Sequence, residues 1–177
     1  MTLTRASYLR MYAVLAIATA VAAILAATAL IGSAHAIAGC DFGSCAPSVT
    51  STVPFNGATN VDRDNNVEAQ FFSDTGAMDP TTIDASTVLL YRGNLTYAQL
   101  NPDCSVSCTT RVPRSATVSY DATTKTATLD PTRRLRAFRN YTAVVEGAGD
   151  TDGQAVKDSI GTEMASDYVW HFKTGGS

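Results

Sequence analysis

Residues 116–129 alternate with a period of two. Ala116, Val118 and Tyr120 interleave with Thr117 and Ser119, a polar stretch covers 121–125, and Ala127 and Leu129 resume the apolar face. Such a period fits a half-buried β-strand, and two such runs joined by a short polar turn make a hairpin. The same alternation recurs in Val67, Ala69 and Phe71 against Glu68 and Gln70, and in Tyr141, Ala143 and Val145. A last run sets Tyr168, Trp170 and Phe172 on one side and Val169, His171 and Lys173 on the other. Residues 48–53 read as a first strand, stopped by Pro54 and the turn-prone Asn56-Gly57. Residues 87–91 form an apolar run short enough for a core strand, and 81–84 read as one helical turn. The pattern degrades over 92–113, where a short strand at 95–100 and a cysteine-bearing loop are expected. Short strands separated by turn residues, without a long amphipathic helix, predict an all-β chain: a Greek-key sandwich of about seven to eight strands.

The first segment is of another kind. Arg5 and Arg10 precede residues 11–31, which are apolar apart from Thr19 and Thr28, and Ser33-Ala34-His35-Ala36 supplies an A-x-A-like cleavage site. This is the layout of an export signal over 1–36, so the remainder is expected outside the cytoplasm, secreted or at the cell surface. The apolar run exceeds the roughly 7–15 residues of an ordinary signal core and is close to the ~20 that span a bilayer. An uncleaved anchor helix is therefore the alternative. A third reading takes Ile37-Ala38-Gly39-Cys40 as a lipobox with Cys40 acylated, although polar Ser33 and His35 interrupt the approach to it. Beyond the signal, the expected organisation is a cysteine-containing linker over 37–47, one sandwich domain over 48–174 and a tail over 175–177.

The four cysteines are Cys40, Cys45, Cys104 and Cys108. An even number in an exported chain reads as disulfides, and the spacings C-x4-C and C-x3-C suggest Cys40–Cys45 and Cys104–Cys108, with two other connectivities open. The rival, a four-thiolate zinc site, normally has C-x2-C knuckles. All the acidic residues lie beyond the signal and two arginines lie within it, so the mature part is modestly acidic. That argues against nucleic acid as a partner. Membrane contact is expected only through the N-terminal segment, if it is retained or lipidated.

With these elements placed, residues 47–174 resemble the bacterial Ig-like domain of the type named after the S-layer protein SbsA. The resemblance rests on Pro54-x-x-Gly57, Val67-x-Ala69-x-Phe71, Met78-Asp79-Pro80, Ala116-Thr117-Val118-Ser119-Tyr120-Asp121 and Lys125-Thr126-Ala127-Thr128-Leu129-Asp130-Pro131. It continues through Leu135, Tyr141-Thr142-Ala143, Val156-Lys157-Asp158, Gly161 and Tyr168-x-Trp170-x-Phe172-x-Thr174. It departs in a longer loop at Asp74-Thr75-Gly76, in the longer cysteine-bearing segment, and in Gly161-Thr162 where Gly-Asn is usual. The resemblance implies an Ig-like Greek-key sandwich serving as a spacer or adhesion-type module, with no activity and no shared catalytic residues. Tyr141, entering a strand after Leu135, is placed like the tyrosine corner of such sandwiches.

Candidate chemistry is sparse. His171 is the one histidine left after signal removal, and no nucleophile motif accompanies it, so an exposed strand histidine is expected. Asp62-x-Asp64-x-Asn66 and Asp150-x-Asp152-Gly153 are the places where calcium would be held. In the first, Val67 stands where an EF-hand needs glycine and Ser73 where it needs glutamate; the second has too few ligands. Aspartate and asparagine are also ordinary turn residues, and the reading is of no cofactor. Arg133, Arg134, Arg136 and Arg139 form the one dense basic cluster, with Arg111 and Arg114 near it. They read either as a solvated inter-strand loop or as a patch for an anionic polymer. Taken together, the expectation is a non-enzymatic exported module for adhesion, envelope structure or protein–protein contact, its partner a protein or an envelope polymer. A carbohydrate- or polyanion-binding wall protein, using Tyr91, Tyr97, Phe138 or the arginines, is the alternative.

Overall fold

The computed structural model describes residues 45–100, 113–149 and 153–176. The signal over 1–36, Cys40, Cys104, Cys108, Arg111 and the Asp150/Asp152 pair lie outside the described residues. No helix among the described residues is long and apolar enough to cross a membrane.

The described residues form eight strands: β1 (Ser48–Val53), β2 (Ala58–Val61), β3 (Val67–Phe72), β4 (Val88–Arg92), β5 (Ala116–Asp121), β6 (Thr126–Pro131), β7 (Asn140–Val145) and β8 (Tyr168–Thr174). They form two four-stranded sheets, ordered β1-β3-β6-β5 and β2-β8-β7-β4. All pairings are antiparallel except the parallel contact of β2 with β8. In Ig-sandwich terms the first sheet has the A-B-E-D order. The second is the G-F-C sheet with the first strand's continuation added at its edge.

The alternation read from the sequence sets the inner faces. Val67, Ala69 and Phe71 of β3 meet Ala127 and Leu129 of β6 from one sheet, and Leu90, Tyr141, Ala143, Val145, Trp170 and Phe172 from the other. Aromatic contacts stitch this core. Tyr141 stacks on Phe172 at 5.6 Å between ring centroids, and Tyr120 meets Phe71 edge-on at 6.3 Å. Such pairs add to plain area burial because ring quadrupoles favour offset and edge-to-face arrangements. The β5–β6 hairpin is as expected. Its turn is fixed by the Asp121 carboxylate, which accepts from the Thr123 amide at 2.8 Å, and by Lys125 at φ 55°.

Two local readings need correction. The helical turn expected at 81–84 is a 3-10 turn over Pro80–Thr82, because Asp79 acts as its cap: Asp79 Oδ1 accepts from the Thr81 amide at 2.9 Å, and Pro80 starts the turn where no N–H is needed. The strand expected at 95–100 is instead a one-turn helix, α1 (Tyr97–Leu100). Thr96 sits before it, and Gln99 reaches back to accept the Thr96 amide at 3.1 Å, as in half of a capping box. That local bond favours a helical turn over an isolated edge pairing.

The segment before α1 crosses the outer face of β7 and β8. The Thr142 hydroxyl accepts from the Leu95 amide at 2.9 Å and donates to the Gly93 carbonyl at 2.8 Å. Leu95 is thereby buried outside the main core, as are Thr142 and Val144 on the outward side of β7. The second sheet is therefore covered on both faces in this region.

Candidate functional site: a cationic cleft at the end of the second sheet

Where β4 ends, β7 begins and β8 finishes, a cleft of about 600 Å3 opens. Its walls carry Arg92 from the end of β4, Lys173 from β8, and Arg136, Phe138 and Arg139 from the connection leading into β7. Among the described residues no carboxylate lines it.

The connection between β6 and β7 is pinned at four points. Leu135 is fully buried, and its amide donates to the Arg63 carbonyl at 3.0 Å. The Arg136 amide donates to the hydroxyl of buried Tyr141 at 2.8 Å, the bond expected of a tyrosine corner. Thr174, buried at the end of β8, donates its hydroxyl to the Arg136 carbonyl at 2.7 Å and accepts from the Arg139 amide at 3.0 Å. The Phe138 amide donates to the Gly175 carbonyl at 3.1 Å. These bonds hold the backbones of Arg136, Phe138 and Arg139 while leaving their side chains to the cleft. Phe138 takes φ 54°, a region that bulky L-residues rarely visit, and is 68% exposed.

The four arginines read as one cluster separate into two pairs. Arg134 binds Asp64 through Nε at 2.9 Å, and Arg133 lines a smaller recess with Asp64 and Asp130, so the charge there is offset. Arg136 and Arg139 face the cleft instead, joined by Arg92 and Lys173, which the sequence reading did not single out. The signal was available in register: Arg92 pairs with Tyr141 and Lys173 with Asn140, placing both beside the entry to β7. Arg114 lies elsewhere. Its amide donates to the Leu90 carbonyl of β4, and its Nε is buried without a partner among the described residues.

Other candidates are engaged locally. His171 does point outward, but it is half-buried and not exposed as expected, because its Nε2–H donates to the Leu95 carbonyl at 2.8 Å. Asp62 accepts the Asp64 amide at 3.0 Å within a turn, and Asp64 is taken by Arg134. Among the described residues no group of three or more His, Cys, Asp or Glu side chains is placed to hold a metal. Cys45 is disulfide-bonded, and the pairing of the four cysteines lies outside the described residues. Of the aromatics, Tyr97 is exposed on α1, Tyr91 is half-buried on β4, and only Phe138 reaches the cleft.

A family model described as the bacterial Ig-like domain matches residues 44–174. The chain belongs to the bacterial Ig-like domain family. Among solved structures, this Ig-like chain is similar to PcoC, a methionine rich copper resistance protein from Escherichia coli. The two share 13% identity over 73% of this chain and 99% of that one, with a TM-score of 0.49. It is also similar to the N-terminal part of the bacterial S-layer protein SbsC, at 18% identity over 74% of this chain and 24% of that one, with a TM-score of 0.45. No curated protein matches it at the sequence level.

Proposed function

We propose that this bacterial Ig-like domain is an exported, non-enzymatic module of the cell envelope, of the SbsA-like type, acting in adhesion, envelope structure or protein–protein contact. The observation that carries this is an Ig-like sandwich matched over 44–174, following a chain start whose arginines, apolar run and small-residue site have the layout of an export signal. The occupation of His171 Nε2 by a backbone carbonyl on the outer sheet face supports the non-enzymatic reading. Fractionating the producing cell and weighing the intact protein tests it. Recovery from the medium or envelope, starting at Ile37 and gaining about four hydrogens on reduction, is the expected result for a freely secreted domain with two disulfides. A start at acylated Cys40, or retention of Met1 in the membrane fraction, would move the module onto the membrane face. Recovery from the cytoplasm would overturn the proposal.

The second reading, a carbohydrate- or polyanion-binding envelope protein, is favoured by the cleft. Arg92, Arg136, Arg139 and Lys173 lie together, with no lining carboxylate among the described residues, in a chain of formal net charge −3. Binding of an anionic polymer that weakens as salt rises is its expected signature.

A further inference from the structure

We propose that the cleft formed by Arg92, Arg136, Arg139 and Lys173, with Phe138 at its edge, binds an anionic polysaccharide. The cations take charged groups on successive sugars, and the Phe138 ring packs on a sugar face. The proposal rests on the polyanion reading and narrows it to one ligand class.

Three observations carry it. None of the four cations is ion-paired among the described residues, whereas neighbouring Arg134 and distant Lys157 are. Like charges held together repel, and an incoming anion removes that repulsion while gaining charge-assisted hydrogen bonds. Arginine's planar fork suits phosphate, sulfate and carboxylate alike, so the shared chemistry is an oxyanion.

The second observation is Phe138. It combines an unfavourable left-handed backbone with 68% exposure, and so contributes little to the core in return. Glycine would take that φ without penalty. A Cβ on Gly176 would fall 2.5 Å from the ring tip, so the ring lies over the Gly176 backbone, held in place yet open to solvent. An exposed, fixed aromatic beside cations suits a ligand with flat, partly apolar rings between its charges, which a sugar chain provides.

The third is rigidity and size. Tyr141, Thr174 and Gly175 fix the backbone that presents Arg136, Phe138 and Arg139, so little ordering is left for binding to impose. The cleft, about 600 Å3, falls in the usual range of ligand clefts. A duplex nucleic acid or a membrane spreads its charge wider than the cleft, and the net negative remainder of the chain opposes it.

The experiment uses the protein recovered from its producing cell and measures binding to dextran sulfate, uncharged dextran and poly-glutamate. Phosphatidylglycerol vesicles and a single-stranded oligonucleotide complete the probes. Dextran sulfate is expected to bind tightest and uncharged dextran not at all. Arg136→Ala combined with Arg139→Ala should weaken dextran sulfate by at least about tenfold, since each lost charged hydrogen bond is worth about that factor. Phe138→Gly, which relaxes the backbone and keeps the fold, should weaken dextran sulfate severalfold and poly-glutamate little. Arg133→Ala, outside the cleft, should change nothing. If no anionic probe binds, or the arginine double variant binds as wild type does, the polyanion reading itself is overturned. If binding is arginine-dependent but poly-glutamate, vesicles or oligonucleotide match dextran sulfate, or Phe138→Gly has no effect, the polysaccharide assignment fails while the anion cleft stands.

Discussion

Two tyrosines in this sandwich differ in one respect, and replacing each by phenylalanine should give opposite results. The Tyr141 hydroxyl accepts the part-buried Arg136 amide at 2.8 Å. The Tyr120 hydroxyl is buried without a hydrogen-bond partner among the described residues. Phenylalanine keeps both rings, hence the Tyr141–Phe172 and Phe71–Tyr120 contacts. What changes is one hydroxyl. At Tyr141 the loss removes a bond worth about 0.5–1.5 kcal/mol net and leaves a donor short of a partner, which raises the cost toward about 2 kcal/mol. At Tyr120 the loss removes a desolvated group that gains nothing in the fold, so stability should stay within about 0.5 kcal/mol or rise. Burial first, and the neighbouring Asp121 charge second, also push the Tyr120 phenol up. This group therefore leaves stability independent of pH below the ordinary tyrosine range, and stability falls as pH rises from there through the folded value, a dependence that the Tyr120→Phe variant cannot show. The assay is urea unfolding followed by Trp170, the sole tryptophan and fully buried. An unchanged m-value would confirm that stability alone moved. Equal losses at both positions, or a Tyr141→Phe variant within about 0.3 kcal/mol of wild type, would refute the claim that the corner bond holds the β6–β7 connection.

Further outcomes follow from single contacts. Thr142→Val removes a buried hydroxyl that bonds both the Leu95 amide and the Gly93 carbonyl; a loss of about 1–3 kcal/mol, with faster hydrogen exchange at the Leu95 amide, is expected. Gly147→Ala places a Cβ 2.3 Å from the Ser166 carbonyl carbon and 2.4 Å from its oxygen. Backbone cannot yield as a flexible side chain would, so a loss of about 2–4 kcal/mol, or failure to fold, should appear in the melting curve. Three carboxyls are held below the ordinary aspartate range: Asp79 by the Thr81 hydroxyl first, Asp84 by the Ser86 hydroxyl first, and Asp121 by the Thr123 amide first. Folded values lowered in this way stabilise above the unfolded value of 3.8 and lose that contribution as pH falls through the folded one. The triple Asp→Asn variant should therefore show a flatter acid limb than wild type in unfolding midpoints taken from about pH 6 down to about pH 2.

The sandwich was readable because its signal is local and repeated. Val67, Ala69 and Phe71, then Ala127 and Leu129, each declare a buried side by parity alone, and parity survives any rearrangement of loops. Leu95–Leu100 misled because one apolar residue at each end resembles a short strand; the decisive feature was the Thr96-x-x-Gln99 spacing, a cap and not a periodicity. His171 misled for a different reason. Alternation gives the face on which a side chain lies but not what crosses that face. The hint lay in β7, where Thr142 and Val144 are uncharged on the outward side, as in strands covered on both faces. The arginine run was visible as composition, yet its division was not. Asp64 lies far from Arg134 along the chain, and Arg92 and Lys173 reach the cleft only through strand register.

That division follows from the corner itself. A chain leaving β6 must cross to the other sheet before β7 can start, and the crossing is fixed when Leu135 enters the core and Tyr141 bonds back to Arg136. Residues before Leu135 stay with the first sheet and meet Asp64 and Asp130; residues after it are delivered to the end of the second. The same few bonds thus set stability and place the cations. Thr174 makes the coupling explicit, since its hydroxyl serves both the Arg136 carbonyl and the Arg139 amide. If the corner organises the cleft, Tyr141→Phe and Thr174→Val should be non-additive in stability by about 0.5 kcal/mol or more, because they support one segment. Each should also weaken dextran sulfate binding in a protein that is still folded at the assay temperature. Additive stability effects with unchanged binding would separate the two roles, leaving the corner as architecture alone and the cleft as a set of side chains that need no such support.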